Sequence, residues 1–548
     1  MATIIDKKIP VVVYLSLEIA LDNRLKTYAG GLGVLAGDIL KSAANLKFPM
    51  VGVSLINRHG YFRQTLNEVG QQEIFEDQSA KLPGLRKLSV TTTVTIRRRQ
   101  VKVGVWQYDL QGPGDFSGPV YFLDTDFPEN TASDRRLTDD LYGGDAIYRL
   151  KQEIILGRAG LKILTKLGYE FKKIHVNETP GILAALELYR PILGKSLRQS
   201  LKGIRRQLVF TTHTPLHQAK DTLPKTTLLK YQPNFPAEIL KLVIKNGRIS
   251  LVSLAVLLAG RINAVSKLHQ QVSKKLLKTA RVKSVTNGVN SAFWTSQELG
   301  KVYDQYLAGW RTTPALLERA SVIPLEKIWS AHQAAKKKLL SFIGQQTGEK
   351  LSLDALTIGF ARRFTTYKRS LLLFSDLRRL RALSQIGGGL QIIYSGKAHP
   401  EDQAGQEMIK KLFFLKQKLK SQLTIVFLPN YDLEIAKLLT AGVDLWLNTP
   451  RPPLEASGTS GMKAAHNGVP QLSTYDGWWP EGYVKNKTGW KIGEGKKFNL
   501  YELLEQEILP LYYNKPDQWR QIMRSTIAKN AARFSTDRVV REYIRKMY

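Results

Sequence analysis

The chain has no cysteine in 548 residues. That excludes disulfides and thiolate chemistry together, and it agrees with a cytoplasmic setting, which is the expected location. No stretch reaches the roughly 20 uncharged apolar residues of a membrane-crossing helix, so no membrane partner is expected. The apolar run IPVVVYLSL (9–17) follows lysines and lacks a small-residue cleavage site, because Glu18 and Asp22 fall where one would sit. No repeat, low-complexity linker or zinc-ligand spacing is present, and no metal is expected. Carboxylates are also scarce. With 46 Asp+Glu against 81 Lys+Arg, the formal charge is +35. Such an excess attracts polyanions through counterion release, yet the basic residues are spread along the chain without a recognition helix or an interleaved aromatic pattern. A solvated basic surface is the simpler account, and no specific nucleic-acid partner is expected.

What the chain does have is an ordinary globular composition, 43% hydrophobic and 23% charged, in a length too great for one core. Short apolar runs alternate with longer amphipathic stretches, the pattern of α/β architecture. Residues 9–17, 207–212, 355–360, 390–394, 424–428 and 443–447 read as strands. Gly30–Gly33 reads as a tight turn opening a helix at Val34–Ala44, and Tyr367–Ser384 and Ala404–Lys418 read as helices. Lys87–Gln107, rich in β-branched residues, reads as a peripheral antiparallel insertion. A break near Thr286-Asn287-Gly288 divides the chain into 1–287 and 288–548, with a last helix near Arg520–Tyr548. The later strands, spaced by helices, fit a doubly wound sheet with ligands at the carboxyl ends of its strands.

Three places could carry chemistry. Ala456–Gly461 is a small-residue loop whose backbone N–H groups can approach a phosphate without Cβ obstruction. Lys463 follows it, in a position that suits an imine with an aldehyde cofactor held by its phosphate. Composition alone leaves open a surface turn followed by an ordinary helical lysine. Arg362, Arg363, Lys368 and Arg369 gather four cations after a strand, good chemistry for two neighbouring phosphates, although a basic helix face would read alike. His213 sits just past a strand, where a lone histidine is usually a capping or packing residue.

The run PLEASGTSGMKAAHNG (453–468) resembles the cofactor segment of the α-glucan phosphorylases. The same family is matched in order by YLSLE (14–18), YAGGLGVLAGDILKSA (28–43), GYFRQ (60–64), GGDAIYRLKQEIILG (143–157), FTTHTP (210–215), AVSKLH (264–269), VTNGV (285–289), IGFARRFTTYKR (358–369), SGKAHP (395–400) and DGWWPEGY (476–483). The resemblance is to the shorter members, without a long N-terminal regulatory extension. It implies two Rossmann-like lobes facing a cleft, a GT-B arrangement, with the last helix packing back on the first lobe.

It also implies pyridoxal 5′-phosphate on Lys463, with Arg362, Gly458, Thr459, Ser460, Tyr14 and Trp294 around the cofactor. Arg363 and Lys368 would hold the substrate phosphate, with Gly30 and Gly31 nearby. His213 would face the reacting sugar. Asn287, Glu455, Ser457 and Tyr367 would contact substrate, and Glu18 would stand behind them. The implied reaction is retaining phosphorolysis of glycogen, starch or maltodextrin, with inorganic phosphate as the general acid toward the glycosidic oxygen. The partners are then an α-1,4-glucan and inorganic phosphate, and a homodimer is left open.

Several positions depart from the family pattern. Asn177-Glu178-Thr179-Pro180-Gly181 and Gln218-Ala219-Lys220-Asp221 each lack a histidine usual there, and Asn290 and His466 are also unexpected. These changes bear on the sugar and acceptor pockets. Two rivals follow: a nucleotide-sugar glucan synthase of the same fold, and a catalytically weak glucan-binding derivative.

Overall fold

The computed structural model describes residues 3–4, 9–76, 84–190, 196–215 and 222–548. Two compact units emerge. One comprises Met1–Tyr61, Glu76–Thr286 and Val539–Tyr548, and the other Phe62–Phe75 and Asn287–Arg538.

The first unit is built on a sheet of strands β1 (Val11–Leu15), β2 (Met50–Leu55), β3 (Arg86–Ile96), β4 (Arg99–Gln111), β5 (Phe116–Asp124), β6 (Phe171–Asn177), β7 (Leu208–Thr212), β8 (Arg261–Ala264) and β9 (Val282–Ser284). Their order is β9-β8-β7-β6-β1-β2-β5-β4-β3, and Thr3–Ile4 adds a short parallel strand beside Phe116–Ser117. β1 is fully buried, as a VVVYL run covered on both faces requires. Val11, Val13 and Leu15 face one core, while Val12 and Tyr14 face another closed by Val539, Val540 and Tyr543. The parallel strands run outward in both directions from β1, which creates a switch point between β1 and β6. The β3–β4 hairpin is antiparallel and ends the sheet. Gly31–Gly33 are not a turn: the helix already begins at Gly31 and runs to Asn45. Gly37 in that helix is required by packing, since a Cβ there would lie 1.8 Å from the Ala20 carbonyl oxygen.

The second unit carries six parallel strands, β10 (Leu356–Ala361), β11 (Leu390–Ser395), β12 (Thr424–Leu428), β13 (Leu445–Asn448), β14 (Gln471–Thr474) and β15 (Gly489–Ile492). The order β12-β11-β10-β13-β14-β15 is that of a dinucleotide-binding sheet, with its switch point between β10 and β13. Each unit is thus a Rossmann-like α/β layer. The hairpin Arg63–Leu66 and Gln72–Phe75 belongs to this unit. Gln72 donates to the Ala398 carbonyl at 2.9 Å, and Gln64 to that of Gly396 at 3.1 Å.

Two helices expected from sequence are broken. Residues 367–384 form short 3-10 turns at Thr366–Lys368 and Leu372–Phe374 and a helix only at Leu377–Leu383, because Arg369 turns left-handed at φ 48° and Asp376 caps a fresh start. The chain end likewise divides into Pro516–Thr526 and Thr536–Lys546. No helix of the described residues is long and apolar enough to cross a membrane.

Candidate active site

In the second unit, polar residues converge beyond the carboxyl ends of β10 and β13. Arg362 follows β10 directly, and Asn448 ends β13. Arg362 donates from Nη1 to Asn448 Oδ1 at 3.0 Å and from Nη2 to Glu455 Oε2 at 2.6 Å. Lys368 Nζ bonds the same Glu455 oxygen. Burial raises the Glu455 carboxyl, but the attraction of Lys368 and Arg362 outweighs it and holds the group at about 2. Burial and the neighbouring Arg362 push Lys368 down to about 7 against the pull of Glu455. Arg363, although exposed, lies near enough to add to that depression. Two arginines and a lysine around one carboxylate leave a net positive site. Lys368 also stacks on Tyr367, 4.5 Å from its ring centroid.

Asp476 closes this cluster from below. Its Oδ2 accepts the Glu455 N–H at 2.9 Å and Oδ1 that of Gly477 at 2.8 Å, while burial lifts its carboxyl to about 7. Arg362, Asn448, Glu455, Ser457, Gly458 and Asp476 line a small pocket, with Gln471 and Trp479 also on its wall. Three of these residues carry buried N–H groups without a protein acceptor: Arg362 Nε, Gln471 Nε2 and Trp479 Nε1. Such donors suit an anion.

Lys463 is placed by the helix Ser460–His466, which starts straight after Gly458 (φ 71°) and Thr459. Gly461 must lack a side chain, since a Cβ would meet Gln471 Oε1 at 1.6 Å. Trp446 Nε1 holds Ser460 Oγ at 3.1 Å. Lys463 is buried, and its Nζ lies 3.8 Å from the centroid of the Trp294 ring. It is not among the residues lining the small pocket. The helix and Trp294 are tied by Asn467, which donates to the carbonyls of Trp294 at 2.8 Å and Lys463 at 3.1 Å. His466 bonds Ser291 Oγ at 2.9 Å, and burial lowers it to about 4, so it serves as a neutral bridge. Asn290 caps the Ser291–Trp294 helix through Phe293 N–H. The two residues unexpected in the family pattern therefore position Trp294 against Lys463. Asn287 is buried with Oδ1 unpartnered, and its carbonyl accepts from Arg538 at 2.9 Å.

In the first unit a second cluster forms at the carboxyl ends of β1, β6 and β7. His213 Nε2 donates to Asn177 Oδ1 at 2.7 Å, and Asn177 Nδ2 to Ser16 Oγ at 3.1 Å. Burial, then His269 and His175, holds His213 at about 3, so its imidazole is neutral. Glu178 accepts from the His213 backbone N–H and from Thr214 Oγ1 while its own backbone sits at φ 64°. Glu18 accepts from the N–H groups of Ala29 at 2.7 Å and Gly30 at 3.1 Å, and from Tyr142 at 2.9 Å. Gly30 thus spends its N–H on Glu18, whereas Gly31, the first helical residue, has no intrahelical acceptor and no atom within 4 Å of a would-be Cβ. Tyr14 is wholly buried in the core of this unit, its ring 4.9 Å from that of His175. Gln218–Asp221 lie outside the described residues.

The family model for carbohydrate phosphorylase matches residues 237–479. Maltodextrin phosphorylase of Thermococcus litoralis is 36% identical, over 98% of this chain and 70% of that protein. Glycogen phosphorylase of Aquifex aeolicus is 35% identical, over 98% of this chain and 86% of its own length. The chain belongs to the carbohydrate phosphorylases. An uncharacterised Methanocaldococcus jannaschii protein is 31% identical over 98% of this phosphorylase and 99% of its own length.

The residues of this phosphorylase fit pyridoxal phosphate. Lys463 offers a buried amine beside an aromatic face, and Arg362 Nε, Gln471 Nε2 and Trp479 Nε1 offer donors that the protein itself leaves unpaired. Sequence reasoning missed Asn448, Gln471, Asp476 and Glu178 as parts of these clusters. Asp476 stood in a matched motif, DGWWPEGY, without a role. Glu178 stood in the Asn177–Gly181 motif, also without a role, since its cue is a backbone angle; Asn448 and Gln471 had no local signal, because their partners are distant in sequence.

Proposed function

We propose that this chain carries out retaining phosphorolysis of the terminal α-1,4-linked glucose of a glucan such as glycogen, starch or maltodextrin, giving α-glucose 1-phosphate. The observation that carries the reading is the buried Lys463 amine at 3.8 Å from Trp294, on the helix that follows the small-residue loop. A nucleotide-sugar synthase has no use for such an amine. Lys463 would hold pyridoxal 5′-phosphate as an imine, with Gly458, Thr459, Ser460 and Arg362 toward its phosphate. When bound, the cofactor supplies a phosphate group beside which the substrate phosphate can exchange its proton. Arg362, Arg363 and Lys368 lower the repulsion between two such dianions, and Glu455 holds two of those cations in register. Asp476 fixes the Glu455 backbone. Asn287, Glu455, Ser457 and Tyr367 are assigned to substrate, and so, in the first unit, are Gly31 and neutral His213, while Gly30, whose N–H goes to Glu18, shapes the loop beside them. No pair of carboxylates is needed to flank the bond, unlike a retaining glycosidase.

A cytoplasmic enzyme working on soluble glucan accords with this reading. The test is release of glucose 1-phosphate from maltodextrin and inorganic phosphate by cofactor-loaded protein. Cofactor bound without product would favour the glucan-binding derivative instead.

A further inference from the structure

Several buried or half-buried cations of this fold face carboxylates: Arg58 meets Asp124 and Asp139, Arg158 meets Glu187, and Arg379 meets Glu502 and Glu505. The amino edge of β6–β9 differs. Lys172 and Lys173 open β6, Arg205 and Arg206 end the helix Leu197–Gln207 that runs into β7, Arg261 opens β8, and Arg281 and Lys283 flank the first residue of β9. Arg545 joins them from the last helix, where Arg261 donates to the Lys546 carbonyl at 3.1 Å. Among the described residues none of these eight pairs with a carboxylate.

Four are oriented by carbonyls, which aim a cation without cancelling its charge. Lys173 bonds the Arg206 carbonyl, Arg205 that of Leu257 at 3.0 Å, and Arg281 that of Ala259 at 2.8 Å. The negative end of the helix Leu251–Leu258 explains Arg205 and Arg281. It does not explain Lys172, Arg206, Lys283 and Arg545, which are exposed and make no side-chain hydrogen bond. Burial, then Arg261 and Lys172, lowers Lys173, and burial, then Arg205, lowers Arg281, so like charges stand close together. The carboxylates adjoining this edge are Glu170, exposed, and Glu542, which Lys546 engages.

We propose that this row binds the phosphate backbone of double-stranded nucleic acid without reading its sequence. Adjacent strands stand about 4.8 Å apart, so four of them spread their leading residues over about 14 Å. A duplex strand presents a phosphate about every 3.4 Å, so the row faces about four. Phe171 and Tyr548, the aromatic residues at this edge, pack against the core and give no stacking platform for a single strand. Ile544 is the one exposed large hydrophobic residue on the last helix, too little to enter a lipid surface. The row lies at the opposite end of the strands from Asn177 and His213, so a bound duplex leaves that crevice open.

Anisotropy of a labelled mixed-sequence 20-bp duplex, titrated with the full chain between 50 and 200 mM salt, tests this. Four phosphates give a log–log slope of about −3.6, a loss of about 150-fold in affinity across that range. Replacing Lys172, Arg206, Lys283 and Arg545 together by Gln is expected to flatten the slope by about 2 to 3 units, with melting and phosphorolysis unchanged. The control variant replaces Lys411, Lys418, Lys420 and Lys485 of the second unit by Gln. Equal loss in the control would assign binding to diffuse charge and overturn the proposal. So would absence of binding at 50 mM salt, or tighter binding to phosphatidylserine vesicles than to the duplex.

Discussion

The Lys463 amine rests 3.8 Å from the centre of the Trp294 ring, buried from solvent between a helix and an aromatic wall. A cation over an indole gains about 0.5–2 kcal/mol according to its desolvation, and Asn467 and His466 fix both partners in place. This relationship leads to the first prediction. Lys463→Ala removes the cofactor's long-wavelength absorbance and all phosphorolysis. Trp294→Leu keeps the absorbance but weakens cofactor retention on dialysis. An unchanged spectrum in Lys463→Ala would defeat the assignment.

The second prediction concerns pH. Lys368, at about 7, is cationic below that pH and neutral above it. Asp476, also at about 7, gains negative charge over the same interval. Both changes weaken an anion site as pH rises. The kcat/KM for phosphate therefore falls above pH 7, by up to tenfold per unit, in a profile that reports the free enzyme. Inorganic phosphate titrates nearby, so the comparison with Lys368→Arg isolates the side chain. The arginine variant stays charged and shows a flatter alkaline limb.

Glu178 supplies the third. Its backbone sits at φ 64° and ψ −180°, a region open essentially to glycine alone, while its side chain clamps the His213 N–H. That conformation costs a non-glycine residue about 1–3 kcal/mol. Glu178→Gly and Glu178→Ala both lose the clamp, but glycine also relieves the backbone. Denaturant unfolding should find the glycine variant more stable than the alanine variant by about 1–3 kcal/mol, with phosphorolysis impaired in both.

A fourth prediction addresses stability. Asp444 is buried at the foot of β13 and accepts from His332 Nε2 at 2.9 Å, Lys336 Nζ at 2.6 Å and Thr357 N–H at 2.8 Å. Burial raises its carboxyl, but Lys336 and His332 prevail and hold it below the ordinary value. Asp444→Asn leaves Lys336 buried without its counter-charge, at a cost of about 3–5 kcal/mol. Because the folded-state pKa is depressed, this contribution is complete above about pH 4 and is lost as pH falls through the folded value. Thermal melts of wild type and variant should therefore differ at pH 7 and converge in acid.

Strands were the most legible part of the fold. β1 and β10–β13 each lie within a few residues of their apolar runs, because a parallel strand buried on both faces must be apolar throughout. Helix boundaries were harder. Residues 367–384 look continuous in pattern, but the chain turns left-handed at Arg369. The excursion of Phe62–Phe75 into the second unit left no trace in local pattern, since Gln64 and Gln72 find their acceptors more than 300 positions away.

By itself the sequence determined the chemistry available: a lysine after a small-residue loop, four cations after a strand, a histidine past another, and no thiol anywhere. These are local facts, set by residue type and spacing. Only the tertiary structure decided what each group meets. Arg362 and Glu455 stand 93 positions apart and share an ion pair, while Trp294 reaches Lys463 across a longer separation still. Protonation was decided there too, because a charge's pKa follows from burial and neighbours, and neither is written in residue order.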